Sequence, residues 1–104
     1  MSIDFSLEQL EPVEVFSSNM THNVCAMWIE AGCFDALYNS EGKHAKDVVN
    51  ELTSGYKKMS LAPNIYKKLN PSNGWGDYDT ALVWLKELID ACDAYPEAIV
   101  RICK

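Results

Sequence analysis

His22 and Cys25 are the pair in this sequence whose chemistry and spacing most directly suggest a reaction. They stand three positions apart, and a histidine beside a thiol is a pairing that activates a cysteine nucleophile. The sequence around them carries no signature of a known cysteine-enzyme family, and a Cys and His at this spacing are more often structural. A small hydrolase or transferase that uses His22 with Cys25 or a carboxylate is therefore kept as an alternative. The leading hypothesis is a protein without catalytic residues.

Zinc binding is the second chemistry that these residue types allow. His22, Cys25, Cys33 and His44 are all of zinc-ligand type, but their spacing, H-x2-C-x7-C-x10-H, matches no standard zinc knuckle. Cys25 also lies in an apolar helical pattern, where a free cysteine behaves as a small hydrophobe. We therefore predict no metal and no cofactor.

The stretch NPSNGWGDYD, residues 70–79, places Trp75 between two glycines. Glycines let a backbone approach a ligand closely, and an exposed tryptophan offers a flat stacking surface. The alternative is a core plug, in which the glycines permit a chain reversal that seats the ring inside the protein. The plug is the favoured interpretation because tryptophan is highly buried on average. The candidate binding residues of this loop are Asn73, Gly74, Trp75, Gly76 and Tyr78.

A second candidate site lies in SNMTHNVCAMW, residues 18–28, where a predicted strand passes into a helix. Free N–H groups at the start of that helix could hold an anion or a carbonyl group. The simpler alternative is an ordinary helix cap with a surface or core-bonded histidine. The residues assigned here to a ligand or partner are Thr21, His22, Asn23 and Met27.

Strands are predicted near both ends of the chain. Residues 13–18 and 98–103 have the β-branched and apolar composition of strands. Residues 1–12 form an irregular arm or a short strand around 3–7, closed by Pro12. We expect the N-terminal and C-terminal strands to pair, which gives a compact, mostly helical, single α+β domain over residues 1–104.

Four helices are predicted between those strands from their apolar periodicity. The first ends at Gly32, and residues 33–44 form a connection. The second begins at Lys43 and is weakened or bent at Gly55. The third begins at Pro63, and its inward residues are predicted to be Ile65, Tyr66 and Leu69. The fourth begins near Asp79 and Thr80 as caps. The fourth has the clearest amphipathic pattern.

The chain of 104 residues has a net charge of −6, which argues against binding to a nucleic-acid backbone or an anionic membrane surface. No apolar run approaches the ~20 residues of a membrane span. The N-terminal stretch carries acids where a signal peptide has bases, so no signal peptide is expected. These features predict a cytoplasmic protein with reduced cysteines.

The segments THNVCAMWIEAG and NPSNGWGDYDTALVWL resemble a family of small proteins found in bacteriophages and prophage-bearing bacteria. Its members share a Thr-x-Asn-x-x-x-Met segment and an Asn-Pro-x-Asn-Gly-Trp-Gly-x-Tyr segment, and the likeness begins near residue 14. Some members have a proline where this chain has Ala26. The matching residues are Thr21, Asn23, Met27, Asn70, Pro71, Asn73, Gly74, Trp75, Gly76 and Tyr78.

The resemblance implies a phage accessory protein in the cytoplasm of an infected or lysogenic host, and it supplies no mechanism. Small acidic phage proteins often inhibit host enzymes or defence systems. The leading hypothesis is therefore a binding protein whose partner is a host protein or a small polar ligand such as a nucleotide. The third hypothesis is an assembly subunit, possible as a homodimer, in which AIVRICK pairs with a second copy across a sheet edge.

Overall fold

The computed structural model describes residues 1–9 and 13–104, so the predicted closing role of Pro12 lies outside the described residues. Three strands and five α-helices are arranged along this part of the chain. Their order is β1 (Ser2–Glu8), β2 (Glu14–Thr21), a 3-10 turn (His22–Val24), α1 (Cys25–Ala31), α2 (Phe34–Tyr38), α3 (Ala45–Leu61), α4 (Pro63–Lys67), α5 (Tyr78–Ala94) and β3 (Ile99–Cys103). None of these helices has the length and hydropathy that a membrane span requires.

The strands form one antiparallel sheet in the order β2-β1-β3. The predicted α+β class, with a small sheet that contains both the N-terminal and C-terminal strands, is confirmed. β1, which the sequence left as an arm or a short strand, is the central strand. Its alternation shows which face turns to the core, because Ile3, Phe5 and Leu7 are all fully buried while Asp4 points to solvent.

The core lies between one face of this sheet and the helices. The inward residues of β1 join Met20 of β2 and Val100 of β3 in a single apolar cluster with the buried faces of the helices. The two long helices, α3 and α5, pack against each other. Because side chains alternate along a strand, Asp4, Ser6 and Asn19 lie on the other face, where the sheet is open to solvent.

Four details of the predicted helices are corrected. The predicted connection contains α2, a single short helix with Leu37 and Tyr38 buried. The N-cap of α5 is Asp77 rather than Asp79 or Thr80, because its carboxylate accepts a hydrogen bond from Thr80 N at 2.8 Å. Ile65 is 54% exposed, and Tyr66 is the inward residue of α4.

The fourth correction concerns Gly55, which does not interrupt α3. Its missing side chain instead allows close packing against the segment between α1 and α2. A Cβ atom at Gly55 would lie 2.7 Å from Cys33 Sγ and 2.8 Å from Cys33 Cβ. Gly55 lowers the helix propensity of α3, but its missing side chain allows α3 to approach the α1–α2 segment closely.

The outer edge of β3 is occupied by the protein's own chain. Gly42 N donates to Val100 O at 2.9 Å, and Val100 N donates to Lys43 O at 2.8 Å. Further along, Ile102 N donates to the carboxylate of Glu41 at 2.7 Å. This occupation argues against the assembly hypothesis, which requires the same edge to be open to a second copy.

The Glu41 contact predicts a pH-dependent contribution to stability. The backbone N–H of Ile102 and the guanidinium of Arg101 lower the pKa of Glu41 below its ordinary value of 4.5. A lowered pKa stabilises the fold at pH values above the unfolded pKa, and this contribution is lost as the pH falls through the folded pKa. We expect Glu41→Gln to reduce the free energy of unfolding at pH 7 by at most about 1 kcal/mol, because the site is half exposed.

Urea unfolding of wild type and Glu41→Gln at pH 7 and pH 3 checks this expectation. The difference between the two proteins should shrink at pH 3, because this lies below the ordinary pKa of 4.5, where the unfolded chain takes up a proton and the contribution of the charge declines. Glu97→Gln is the matched control, because Glu97 pairs with Lys46 at 3.0 Å and accepts no backbone N–H from any residue that the structure describes. An equal difference between wild type and Glu41→Gln at both pH values would contradict the assigned role of the charge.

Candidate functional site

The loop of residues 70–77 rests directly on the junction between β2 and α1. Gly76 has a φ of 89°, and a Cβ atom there would lie 2.8 Å from Thr21 Cγ2 and 3.1 Å from Val24 Cγ1. The close backbone approach that the sequence allowed for a ligand is thus made to the protein itself. As a result, the two stretches that the sequence singled out separately form one surface.

An open cavity of about 550 Å³ lies where these stretches meet. We call it the Trp75 groove, and its lining combines one indole ring with neutral polar side chains. The lining residues are Met1, Ser2, Asn19, Thr21, Asn23, Asn73 and Trp75. Thr21, Asn23, Asn73 and Trp75 were predicted site residues. Ser2 and Asn19 were missed, since their place depends on the pairing of β1 with β2, in which Ser2 lies opposite Thr21.

Trp75 is 70% exposed, so its interpretation as a core plug is wrong. The aromatic side chain that fills the core at this turn is Tyr78, three residues further on, which is 5% exposed. Tyr78 donates from its hydroxyl to Met59 O at 2.7 Å and stacks on Tyr66. The core position is therefore filled by the tyrosine, and the tryptophan ring stays outside.

Side-chain oxygens hold the loop in one conformation. Asn73 Oδ1 accepts from Trp75 N at 2.9 Å, and Asn70 Oδ1 accepts from Tyr78 N at 2.8 Å. Asp77 caps α5, and the backbone N–H of Thr80 lowers the pKa of the Asp77 carboxyl. These local bonds fix the backbone on both sides of the exposed ring. A loop backbone held in this way loses little conformational entropy when a ligand stacks on the ring that it carries.

The polar groups of the groove have hydrogen-bonding capacity left over. Asn19 Nδ2 donates to Ser2 Oγ at 2.9 Å and to Asp4 Oδ1 at 2.6 Å, which leaves Asn19 Oδ1 as an open acceptor. Asn73 uses its oxygen on Trp75 N, which leaves its amide hydrogens as open donors. None of the described lining residues is a lysine or arginine. The groove therefore offers neutral donors and acceptors beside an aromatic face.

His22 turns away from the groove and joins Tyr38 instead. Its Nδ1 lies 2.8 Å from the Tyr38 hydroxyl, and Cys25 Sγ lies 3.0 Å from the same hydroxyl. Burial raises the pKa of Tyr38, which keeps its proton in place. The protonated phenol can donate to His22 Nδ1 and accept from the Cys25 thiol, or donate to Cys25 Sγ and accept from a protonated His22 Nδ1. Sequence reasoning missed Tyr38 because it lies in residues 33–44, which the sequence predicts to be a connection.

This cluster has a structural explanation. Tyr38 stacks on Phe34 with ring centroids 4.5 Å apart, and the hydrogen bonds satisfy a phenol that is 5% exposed. The side chains of Cys25 and His22 are joined through the Tyr38 hydroxyl. None of the three cavities described for the protein is lined by any of these residues. The enzyme alternative therefore has His22 and Cys25 linked by hydrogen bonds through Tyr38, but no described cavity beside them that could hold a substrate.

The remaining predicted residues belong to the core or to other surfaces. Met27 is fully buried and Tyr78 nearly so, so neither side chain lines the Trp75 groove. Cys33 is packed against Gly55, and burial raises the pKa of its thiol to about 12. Within residues 1–9 and 13–104, no group of three or more His, Cys, Asp or Glu side chains is placed to hold a metal ion. The four zinc-type residues are therefore not assembled.

Comparison with protein-family models, with curated proteins and with solved structures gave no match to this chain. The candidate site therefore depends on the geometry of the groove.

Proposed function

We propose that this chain is a non-enzymatic binding protein whose site is the Trp75 groove. The observation that carries the proposal is a tryptophan that is 70% exposed on a loop fixed by its own hydrogen bonds. Burying a large apolar side chain contributes about 1.5–3 kcal/mol to folding. A protein that leaves this contribution unused, and holds the backbone of the loop in place, has a surface suited to stacking.

The ligand that fits this lining is small, polar and flat. Aromatic rings stack on nucleobases with about 1–3 kcal/mol per base, and the open amide groups of Asn19 and Asn73 offer an acceptor and donors for a base edge. A nucleotide would bind through its base, with its phosphates directed to solvent, because no described lining residue is a lysine or arginine that could hold them. Asp4, bonded to Asn19, also disfavours a phosphate inside the groove.

The biological role that we propose is that of a phage accessory protein in the cytoplasm of an infected or lysogenic bacterium. Such a protein would inhibit a host enzyme or defence system by sequestering a small signal, or by binding a host protein that presents the same chemistry. The support for this role is the sequence resemblance together with a groove suited to neutral polar ligands.

Substitution of Trp75 by alanine tests the site. We expect Trp75→Ala to weaken binding of a nucleotide or nucleoside by about 5-fold to 150-fold, which corresponds to the 1–3 kcal/mol of a lost stacking contact. The stability of the fold should be nearly unchanged, because the ring is exposed. Isothermal titration calorimetry with a panel of the common nucleotides and nucleosides gives the dissociation constants.

Tyr95→Ala is the matched control for this experiment. Tyr95 is an aromatic residue that is 37% exposed and does not line the Trp75 groove. Its removal should leave the dissociation constants within about twofold of wild type. Equal binding by wild type and Trp75→Ala, or stronger loss in Tyr95→Ala, would refute the assignment of the groove.

A further inference from the structure

The outer edge of β2 has no hydrogen-bonded neighbour among the described residues, whereas the outer edge of β3 is bonded to the protein's own chain. β2 pairs with β1 alone, and within the described residues no backbone or side-chain group outside that pair hydrogen-bonds to the main chain of residues 14–20. Natural sheets usually protect such an edge with a covering segment, a lysine or a proline. β3 has such a cover in residues 41–45, whereas β2 has no lysine and no covering segment from residues 1–9 or 13–104.

A second cavity, of about 450 Å³, lies between β2 and α5. We call it the β2–α5 groove. Its apolar wall is formed by Met20 and Trp84 and by Val83, which is 60% exposed. It shares Asn19 with the Trp75 groove and is otherwise separate from it. An unpaired strand edge thus borders an apolar trough.

The dimensions of the trough suit an extended peptide. The wall contributed by α5 runs from Asp79 to Glu87, and eight helical steps span about 12 Å. About four residues of β-strand cover the same length. A peptide that hydrogen-bonded to β2 would place alternate side chains toward Val83 and Trp84.

Charge decides between the possible occupants. Asp79 and Glu87 line the groove, and the only basic residue among the neighbouring positions of α5, Lys86, is already bonded to Asp90 at 2.7 Å. A second copy of this chain would bring another net charge of −6 to an acidic surface. A basic segment would place opposite charges beside these carboxylates.

We propose that the β2 edge accepts an extended, basic segment of a partner protein as a fourth strand of the sheet. The backbone of the segment hydrogen-bonds to β2. One apolar side chain of the segment packs against Val83 and Trp84, and flanking lysines or arginines face Asp79 and Glu87. This is binding by β-strand addition, in which main-chain bonds supply affinity and alternate side chains supply specificity.

Selection from a random heptapeptide display library, with the whole protein as bait, tests the proposal. The enriched sequences should combine an apolar residue with lysine or arginine at alternate positions. The best synthetic heptapeptide should slow amide hydrogen exchange in β2 by at least tenfold, and its binding should weaken as salt is added.

Variants locate the contact. Val83→Lys should weaken binding of that heptapeptide at least tenfold, because it fills the trough with a like charge. Ile29→Lys is the matched control: Ile29 is 65% exposed on α1 and lines neither groove. Trp75→Ala should bind the heptapeptide as wild type does, which separates this surface from the proposed ligand site.

Several results would overturn the proposal. They are a library that yields no enriched heptapeptide, enrichment of acidic sequences, equal binding by Val83→Lys and wild type, and unchanged exchange in β2. Sedimentation of the free protein as a dimer with β2 amides already protected would assign the edge to a second copy instead.

Discussion

Replacing Gly76 by alanine is expected to weaken ligand binding at the Trp75 groove by at least about 30-fold. The φ of 89° imposes a left-handed backbone, which costs a residue with a Cβ atom about 1–2 kcal/mol. The new Cβ atom would also lie 2.8 Å from Thr21 Cγ2, and such overpacking typically adds about 1–3 kcal/mol. The loop must then move off the β2–α1 junction, and Trp75 moves with it. A free-energy loss above about 2 kcal/mol corresponds to that fold-change.

Gly74→Ala is the control that separates backbone strain from contact with the junction. Gly74 has a φ of 75°, and a Cβ atom there would meet nothing within 4 Å. It should therefore show the strain effect alone, with binding reduced about tenfold or less. Calorimetric titration of both variants with the same nucleoside measures the difference. If both variants weaken binding equally, the junction does not position the loop.

Replacing Gly55 by alanine is expected to destabilise the protein by about 1–2 kcal/mol, although alanine is the better helix former. The gain in helix propensity is about 1 kcal/mol. Against it stands a Cβ atom 2.7 Å from Cys33 Sγ and 2.8 Å from Cys33 Cβ. Cys33 is fully buried, and its Cβ atom moves only when its backbone moves, so the clash is relieved only by separating α3 from the α1–α2 segment.

A double-mutant cycle isolates this contact. Cys33→Gly removes both clashing atoms, so adding Gly55→Ala to that background should be neutral or stabilising. Ser54→Ala, at an exposed position of the same helix, should be neutral or slightly stabilising in wild type. Chemical unfolding supplies the free energies. Stabilisation by Gly55→Ala in the wild-type background would show that the glycine has no packing role.

The periodic elements of the fold could be predicted from the sequence. α5 has an apolar stripe that includes Leu85 and Leu88, and both are fully buried. The alternating apolar residues of β1 were equally visible, but a strand of seven residues near the end of the chain has no local feature that makes it central. Its position depends on pairing with β2 and β3 at once, which is a property of the tertiary structure. The helix α2 was missed for a different reason: its five residues are too few to show a helical repeat of apolar positions.

The candidate site could be predicted only in its parts. Both stretches were identified from their turn residues and aromatic side chains, but their meeting depends on the contact of Gly76 with Thr21. Local composition could not decide which of Trp75 and Tyr78 turns inward. The path of the loop depends on the side-chain oxygens of Asn73 and Asn70, which accept hydrogen bonds from the backbone N–H groups of Trp75 and Tyr78. Likewise, the bond between His22 and Tyr38 joins side chains from separate helical segments.

The indole N–H resonances of the three tryptophans provide the most direct test of the central claim that an exposed, fixed Trp75 forms a ligand site. Trp28 is fully buried and Trp84 is 4% exposed, whereas Trp75 is 70% exposed, so substitution of Trp75 assigns its resonance in a ¹H–¹⁵N correlation spectrum. On titration with a panel of nucleosides and nucleotides, we expect at least one compound to shift the Trp75 resonance in a saturable manner while those of Trp28 and Trp84 stay in place. A panel in which no compound shifts the Trp75 resonance, or in which compounds bind and move only the buried indoles, would contradict the central claim.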